Sequence, residues 1–193
     1  TLYIEGQADT SYTPSQTFNN SGTDLTIGGY GTERNFAGEM DDVRFWNDAR
    51  TAQEIQDNYS QQLSGIETGL VGYWDFNNVN GSMVEDRSTQ NNDAYLGEAT
   101  ATSVQPPLSN RHSLSFDGTD DELTIYSGID LATGSFTWEI WSQRDTQSTN
   151  NALFGQGDNT ADGNGLYVGY VGGVFQFTLG GSLYDLEVTA SDM

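Results

Sequence analysis

Oxygen is the ligand chemistry this chain offers. Its 193 residues include 28 Asp and Glu, a single His and no Cys, which removes disulfides and thiolate metal sites. The one histidine, His112 in NRHSLSF, precedes a strand with no nucleophile or partner constellation beside it, and it reads as a loop residue. Glycoside hydrolysis needs two carboxylates on one face, about 5–9 Å apart. Asp185 and Glu187 in LYDLEV have the two-residue spacing that places them on one face of a strand, but so acidic a chain produces such pairs often, and no alternating acidic signature accompanies them. The expectation is therefore a protein that is not an enzyme. In DNTADGNG, Asp158, Thr160, Asp162 and Gly163 copy the front of a calcium loop without a closing Glu, a weak second metal loop for which a turn is the plainer reading. The Gly-rich stretches GYVGGVF and TLGGS have no following Lys or helix and read as turns, not phosphate cradles.

Rings are the other candidate chemistry. Trp141, Tyr126, Tyr167 and Tyr170 fall in strands or at strand ends, where exposed aromatic faces next to Asp and Asn can stack on sugars. The competing expectation is that they fill the interior, as Trp74, Trp138, Phe136 and Phe116 do.

The charge balance narrows the partners. A net charge of −22, with six arginines and no lysine, repels phosphate backbones and anionic lipid, so neither nucleic acid nor membrane insertion is expected. Cations are favoured, Ca2+ first, because hard oxygen ligands are in excess. No apolar run approaches a membrane span, and no charged-then-apolar leader opens the chain, so an export signal is expected outside this sequence.

The elements that must position these groups are strands. LYIEG, DLTIGG, DDVRFW, LVGYWDF, HSLSFDG, ELTIYS, SFTWEIW, GLYVGY and VFQFTLGG are short, aromatic or β-branched, and separated by Gly, Asn and Asp turns, the pattern of an all-β antiparallel sandwich. RTAQEIQDNYSQQL is the exception. Thr51 and Glu54 have capping-box spacing, and Ile55 and Tyr59 fall four apart on one face, so one short helix is expected from about Thr51 to Tyr59 outside the sandwich. Val43 and Phe45 are expected in the core.

GLVGYWDFNN, VEDRSTQNNDAYLG, HSLSFDGTDDELTI and GSFTWEIW, in that order, resemble the first half of a laminin-G-like domain of the concanavalin A-like jelly-roll superfamily, in the form common in bacterial surface proteins. TLYIEGQ, LTIGGYG, FAGEMDDVRFW and RTAQEI resemble the second half. The resemblance implies an antiparallel jelly roll and a structural calcium near the meeting of opening and closing strands. Carried over by motif, its ligands would be Asp75 of YWDF, Asp86 of VEDRS and Asp41 or Asp42 of MDDV, with Asn91, Asn92 or Asp93 adding oxygens. Adjacent strand residues point to opposite faces, so one of Asp41 and Asp42 at most reaches a given ion.

The halves stand in reverse order. Residues 1–66 are expected to be the C-terminal half of one such domain and 67–193 the N-terminal half of another, joined at LSGIETG. The family pattern has a further strand after SLYDLEV that this sequence does not reach. Two accounts fit: a tandem array of about 200-residue repeats cut out of phase, or a circularly permuted domain whose halves pack on each other. The expected function is a non-catalytic structural or adhesive repeat of a large secreted or cell-surface bacterial protein, calcium-stabilised, assembling with neighbouring copies and forming filaments, with glycans as further partners. The alternative is a carbohydrate-binding accessory domain of a secreted polysaccharide-degrading enzyme.

Overall fold

The computed structural model describes residues 1–11, 23–31, 34–97, 100–102, 112–126, 129–132, 134–145, 150–157, 165–179 and 182–184. Among these the elements in chain order are β1 (Tyr3–Ile4), β2 (Gln7–Ala8), β3 (Leu25–Ile27), β4 (Ala37–Trp46), α1 (Ala52–Asn58), β5 (Leu70–Trp74), β6 (Val79–Asn80), β7 (Met83–Val84), β8 (Ala94–Leu96), β9 (Thr100–Thr102), β10 (Ser113–Asp117), β11 (Leu123–Ile125), β12 (Thr137–Arg144), β13 (Asn151–Gln156), β14 (Leu166–Val171), β15 (Val174–Leu179) and β16 (Ser182–Tyr184).

Two antiparallel sheets carry the architecture. One runs β12-β4-β10-β9 with β5 also paired to β4, and the other runs β16-β15-β14-β13-β3-β11-β8-β7-β6. β1 and β2 form a separate ribbon. The sheets pack face to face through rings. Phe45 of β4 meets Phe154 of β13 edge-on at 5.1 Å, and Trp138 of β12 contacts both Phe154, at 5.1 Å, and Phe175 of β15, at 6.3 Å. Such ring pairs add about 0.5–1.5 kcal/mol each beyond the area they bury. The core they belong to draws on both sheets: Val43, Phe45, Trp74, Leu114 and Phe116 from one, Leu25, Ile27, Leu123, Leu153 and Val168 from the other. This is the all-β antiparallel sandwich with one short helix that the strand pattern predicts, with Val43 and Phe45 buried.

Strands from either side of residue 66 are interleaved in both sheets. β4 lies between β12 on one side and β10 and β5 on the other, and β3 lies between β11 and β13. Either segment alone therefore leaves strand edges unpaired and an apolar face uncovered.

The helix follows its sequence signals. Thr51 Oγ1 accepts from the Glu54 amide at 3.3 Å and Glu54 Oε2 accepts from the Thr51 amide at 2.8 Å, closing the capping box, while Ile55 is the residue α1 buries.

Candidate functional site

The centre of β4 is where the first sheet changes partners. On one edge its pairing with β10 ends at Met40 opposite Leu114, and its pairing with β5 begins at Val43 opposite Trp74. Asp41 and Asp42 occupy the gap. On the other edge Arg44 faces Glu139 and Asp41 faces Trp141, so Asp42 and Val43 together oppose Ile140, a β-bulge. Asp42 is the bent residue, with φ of +56°, a left-handed conformation uncommon for non-Gly residues and one that Asp tolerates better than most.

The bulge turns Asp42 toward Arg44, and a buried ionic layer results. Arg44, 1% exposed, is held by Asp42 Oδ2 and the Gln61 carbonyl through Nη2. Its Nη1 donates to Glu139 Oε2 at 2.9 Å and to the Asn58 carbonyl at 2.9 Å. The guanidinium also lies 5.4 Å from the centre of the Tyr73 ring. Burial raises the carboxyls of Asp42 and Glu139, with Arg44 acting against it. The Tyr73 phenol is pushed upward by burial and by the nearby Asp42. The Tyr73 hydroxyl interacts with Asp42 and, with Arg44, acts against the effect of burial on its carboxyl. Among the described residues Arg44 Nε and Glu139 Oε1 have no hydrogen-bond partner.

The other expected calcium ligands are placed differently. Asp75, directly after β5, is buried and takes Arg87 at 3.2 Å, Gln62 at 3.4 Å and the Asn77 amide at 3.2 Å. Its charge is felt at both Asp42 and Tyr73, so the fold brings Asp42 and Asp75 into one neighbourhood. Asp86 organises a loop. Its Oδ1 accepts from the Tyr73 amide at 2.9 Å and the Ser88 amide at 2.8 Å, and its Oδ2 from Ser88 Oγ at 2.7 Å and the Asn92 amide at 2.8 Å. Asp93 Oδ1 accepts from the Asp86 amide at 3.0 Å, and Asp41 Oδ1 from the Asp42 amide at 2.8 Å. His112 Nδ1 sits 3.3 Å from Asn77 Oδ1, in keeping with a loop residue. The weak second metal loop, Asp158 and Asp162, and the Asp185–Glu187 pair lie outside the described residues.

Among the described residues one group of acidic side chains brings an oxygen from each member within 4.8 Å of the others: Asp117, Asp120 and Asp121, in the turn from β10 to β11. Three carboxylates suit a hard cation, and the turn is built from the same groups. The Asp117 amide donates to Asp121 Oδ2 at 2.6 Å and the Thr119 amide to Asp117 Oδ1 at 2.7 Å, while Asn35 from the loop before β4 donates to the Thr119 carbonyl. This acidic triad could hold a metal. Its sequence signal is FDGTDDE, three acids within five residues at a Gly turn. Arg44 had a signal as well, a cation between Val43 and Phe45 on a strand otherwise apolar at those positions.

The rings separate into two kinds. Tyr167 and Tyr170 are buried, each beneath an arginine, Arg34 at 4.5 Å and Arg144 at 3.5 Å from the respective ring centres, and burial pushes the Tyr167 phenol up to about 12. Neither presents a face for stacking, since Tyr167 is 1% and Tyr170 2% exposed. Trp141 is half-buried against Tyr59 at 6.4 Å and donates to its carbonyl at 3.1 Å. Tyr126 is 61% exposed and pairs at 5.5 Å with Tyr95, itself 39% exposed.

Two antiparallel sheets over a shared aromatic core, with one short capped helix, define an antiparallel β-sandwich. Residues 1–56 match the sequence profile of the concanavalin A-like lectin/glucanases superfamily. The match covers β1 through most of α1 and is that of a partial domain, the part resembling the closing half. No curated protein and no solved structure matches the chain.

Proposed function

We propose that the chain is a non-catalytic structural or adhesive repeat of a secreted or cell-surface protein, stiffened by calcium and joined to neighbouring copies. The observation that carries this reading is the interleaving of strands across residue 66. A 1–66 segment supplies β3 and β4, each of which fits between strands of a 67–193 segment, and in a tandem array the same fit is open to the next repeat. A head-to-tail contact of this type is heterologous and propagates into a filament unless its rotation closes a ring. Calcium enters at the turn of Asp117, Asp120 and Asp121, where a cation bridging the carboxylates would lock β10 to β11. The test is analytical ultracentrifugation of one copy and of two copies in series. Exchange between copies predicts open, concentration-dependent assembly of the two-copy chain, and strictly monomeric behaviour of both chains across all concentrations rejects it.

A second reading has its own observation. The exposed Tyr95–Tyr126 pair offers two ring faces on one sheet surface, the arrangement a carbohydrate-binding accessory domain uses for stacking. Glycan binding abolished by Tyr126→Ala, without loss of stability, would favour it.

A further inference from the structure

Strand β12 ends the first sheet, and among the described residues its outer edge has no strand partner. A groove of about 600 Å³ lies at that edge, lined by residues 134–141, by Leu2, Tyr3 and Glu5 in and beside β1, and by Phe175 and Phe177 of β15. The two sides of β12 differ in chemistry. Phe136, Trp138 and Ile140 turn toward the interior and pack against the main core while remaining partly exposed. Glu139 turns the other way, to Arg44. Both carboxylates of the ionic layer line the groove with Glu5, and so do Arg44, held between those carboxylates, and Arg50, which pairs with Asp48 and Glu54. Glu139 keeps one oxygen, Oε1, with no hydrogen-bond donor among the described residues.

We propose that the β12 groove is a docking site for an extended segment of a partner protein, added as a strand to the open edge, with apolar residues alternating with Lys or Arg. The unpaired main-chain groups of an edge strand supply the ladder. Period-2 alternation then sends every second side chain of the guest into the apolar side beside Trp138 and the others toward Glu139 and Asp42. Charge selects the source. A second copy brings another surface of net charge −22. The chain has no lysine, and of its six arginines only Arg111 lies outside the described residues, so no segment of its own alternates apolar and basic residues. A basic partner strand brings a charged donor to Glu139 Oε1.

The probe is a capped eight-residue peptide alternating Val and Lys, compared with its Val/Glu counterpart and with a Val/Lys version N-methylated at every second amide. Hydrogen exchange of β12 amides and tryptophan fluorescence are the readouts, using the whole chain. The expected result is edge-facing amides of Thr137–Arg144 that exchange freely in the free protein and become protected on adding Val/Lys. N-methylation of the ladder face should abolish that protection, and Val/Glu should bind at least about tenfold more weakly, the order set by a charge-assisted hydrogen bond. Protection already present at every protein concentration means the chain covers its own edge and overturns the proposal. Protection that grows with protein concentration means a second copy covers it, which overturns the proposal equally. Equal binding of Val/Lys and Val/Glu, or no binding at millimolar peptide, also overturns it.

Discussion

Arg44 of β4 and Glu139 of β12 are joined at 2.9 Å across a strand pair whose members lie on opposite sides of residue 66. With Asp42 on its other nitrogen, Arg44 is a buried cation flanked by the buried Asp42 and the half-buried Glu139. Removing one partner of such a group leaves an uncompensated charge in the interior, and that costs more than the intact layer contributes. Arg44→Ala is expected to lower the unfolding free energy by about 3–5 kcal/mol, read from urea denaturation. A loss below about 1 kcal/mol would mean the layer is already hydrated.

The same carboxylates set a pH dependence. Burial, opposed by Arg44, holds Asp42 and Glu139 above their ordinary values of 3.8 and 4.5. A carboxyl with a raised pKa in the folded state keeps its proton better folded than unfolded. Its contribution is full below the ordinary value and is lost as pH rises through the folded value. The permanently neutral double variant Asp42→Asn, Glu139→Gln is therefore expected to gain stability relative to the parent as pH climbs above about 4.5, whatever its constant offset. Urea midpoints measured over a pH series test this, and two parallel curves would count against it.

What the sequence disclosed follows from which forces are local. Period-2 alternation marks DDVRFW as a strand with Val43 and Phe45 inward, and Thr51 with Glu54 marks a helix start, because both depend on neighbours within a few residues. The partner change at Asp41–Asp42 depends on where β5 and β10 end, which no local pattern carries, and so the bulge and the left-handed Asp42 are not legible in it. Tyr167 and Tyr170 are open candidates for stacking in the sequence because a strand residue's parity does not say which face is covered. The fold covers theirs with Arg34 and Arg144. The resemblance implies a metal ligand at Asp86, and the folded residue's oxygens accept from two amides of its own loop, one hydroxyl and the Tyr73 amide of β5, contacts that no local pattern in the sequence carries.

Gly38 opens the long strand β4 beside β12. Its φ is +143°, and an added Cβ would come 2.0 Å from the Gln143 carbonyl oxygen, a backbone atom that cannot rotate away. Gly38→Ala must push β12 off β4 or strain both, and either breaks the pairing on which the ionic layer depends. A loss of several kcal/mol is expected, at or beyond the upper end of ordinary single substitutions of about 0.5–3 kcal/mol. Thermal unfolding followed by near-UV circular dichroism checks it, and a near-neutral Gly38→Ala would contradict the close approach.

Metal dependence separates the two sets of acids. A cation bound by the folded state alone stabilises it by mass action. If the turn of Asp117, Asp120 and Asp121 holds calcium, chelation lowers the melting temperature and Asp120→Ala removes the difference between chelated and calcium-loaded samples. Asp86→Ala is expected to behave otherwise. It strands buried amides, costing about 1–3 kcal/mol for each donor left unsatisfied, and it keeps its response to calcium. A calcium effect that survives Asp120→Ala and disappears with Asp86→Ala would return the site to the loop after β5.

The last prediction concerns the division at residue 66. β4 is the central strand of its sheet, bonded on one edge to β12 and on the other to β10 and β5, and the 67–193 segment supplies all three. Without β4, that segment exposes the inner faces of Phe116, Trp74 and Phe154. Without the others, residues 1–66 have a ten-residue strand with no neighbour, and cannot bury enough apolar surface to offset chain entropy. Separately expressed chains 1–66 and 67–193 are therefore each expected to lack near-UV circular dichroism and to regain it on mixing. Reconstitution should be weaker when Phe45→Ala is carried on the short chain, since a large-to-small change at a buried ring costs about 3–5 kcal/mol. Two fragments that are each folded and monomeric, and that do not bind, would show that the strand exchange between repeats has no thermodynamic basis.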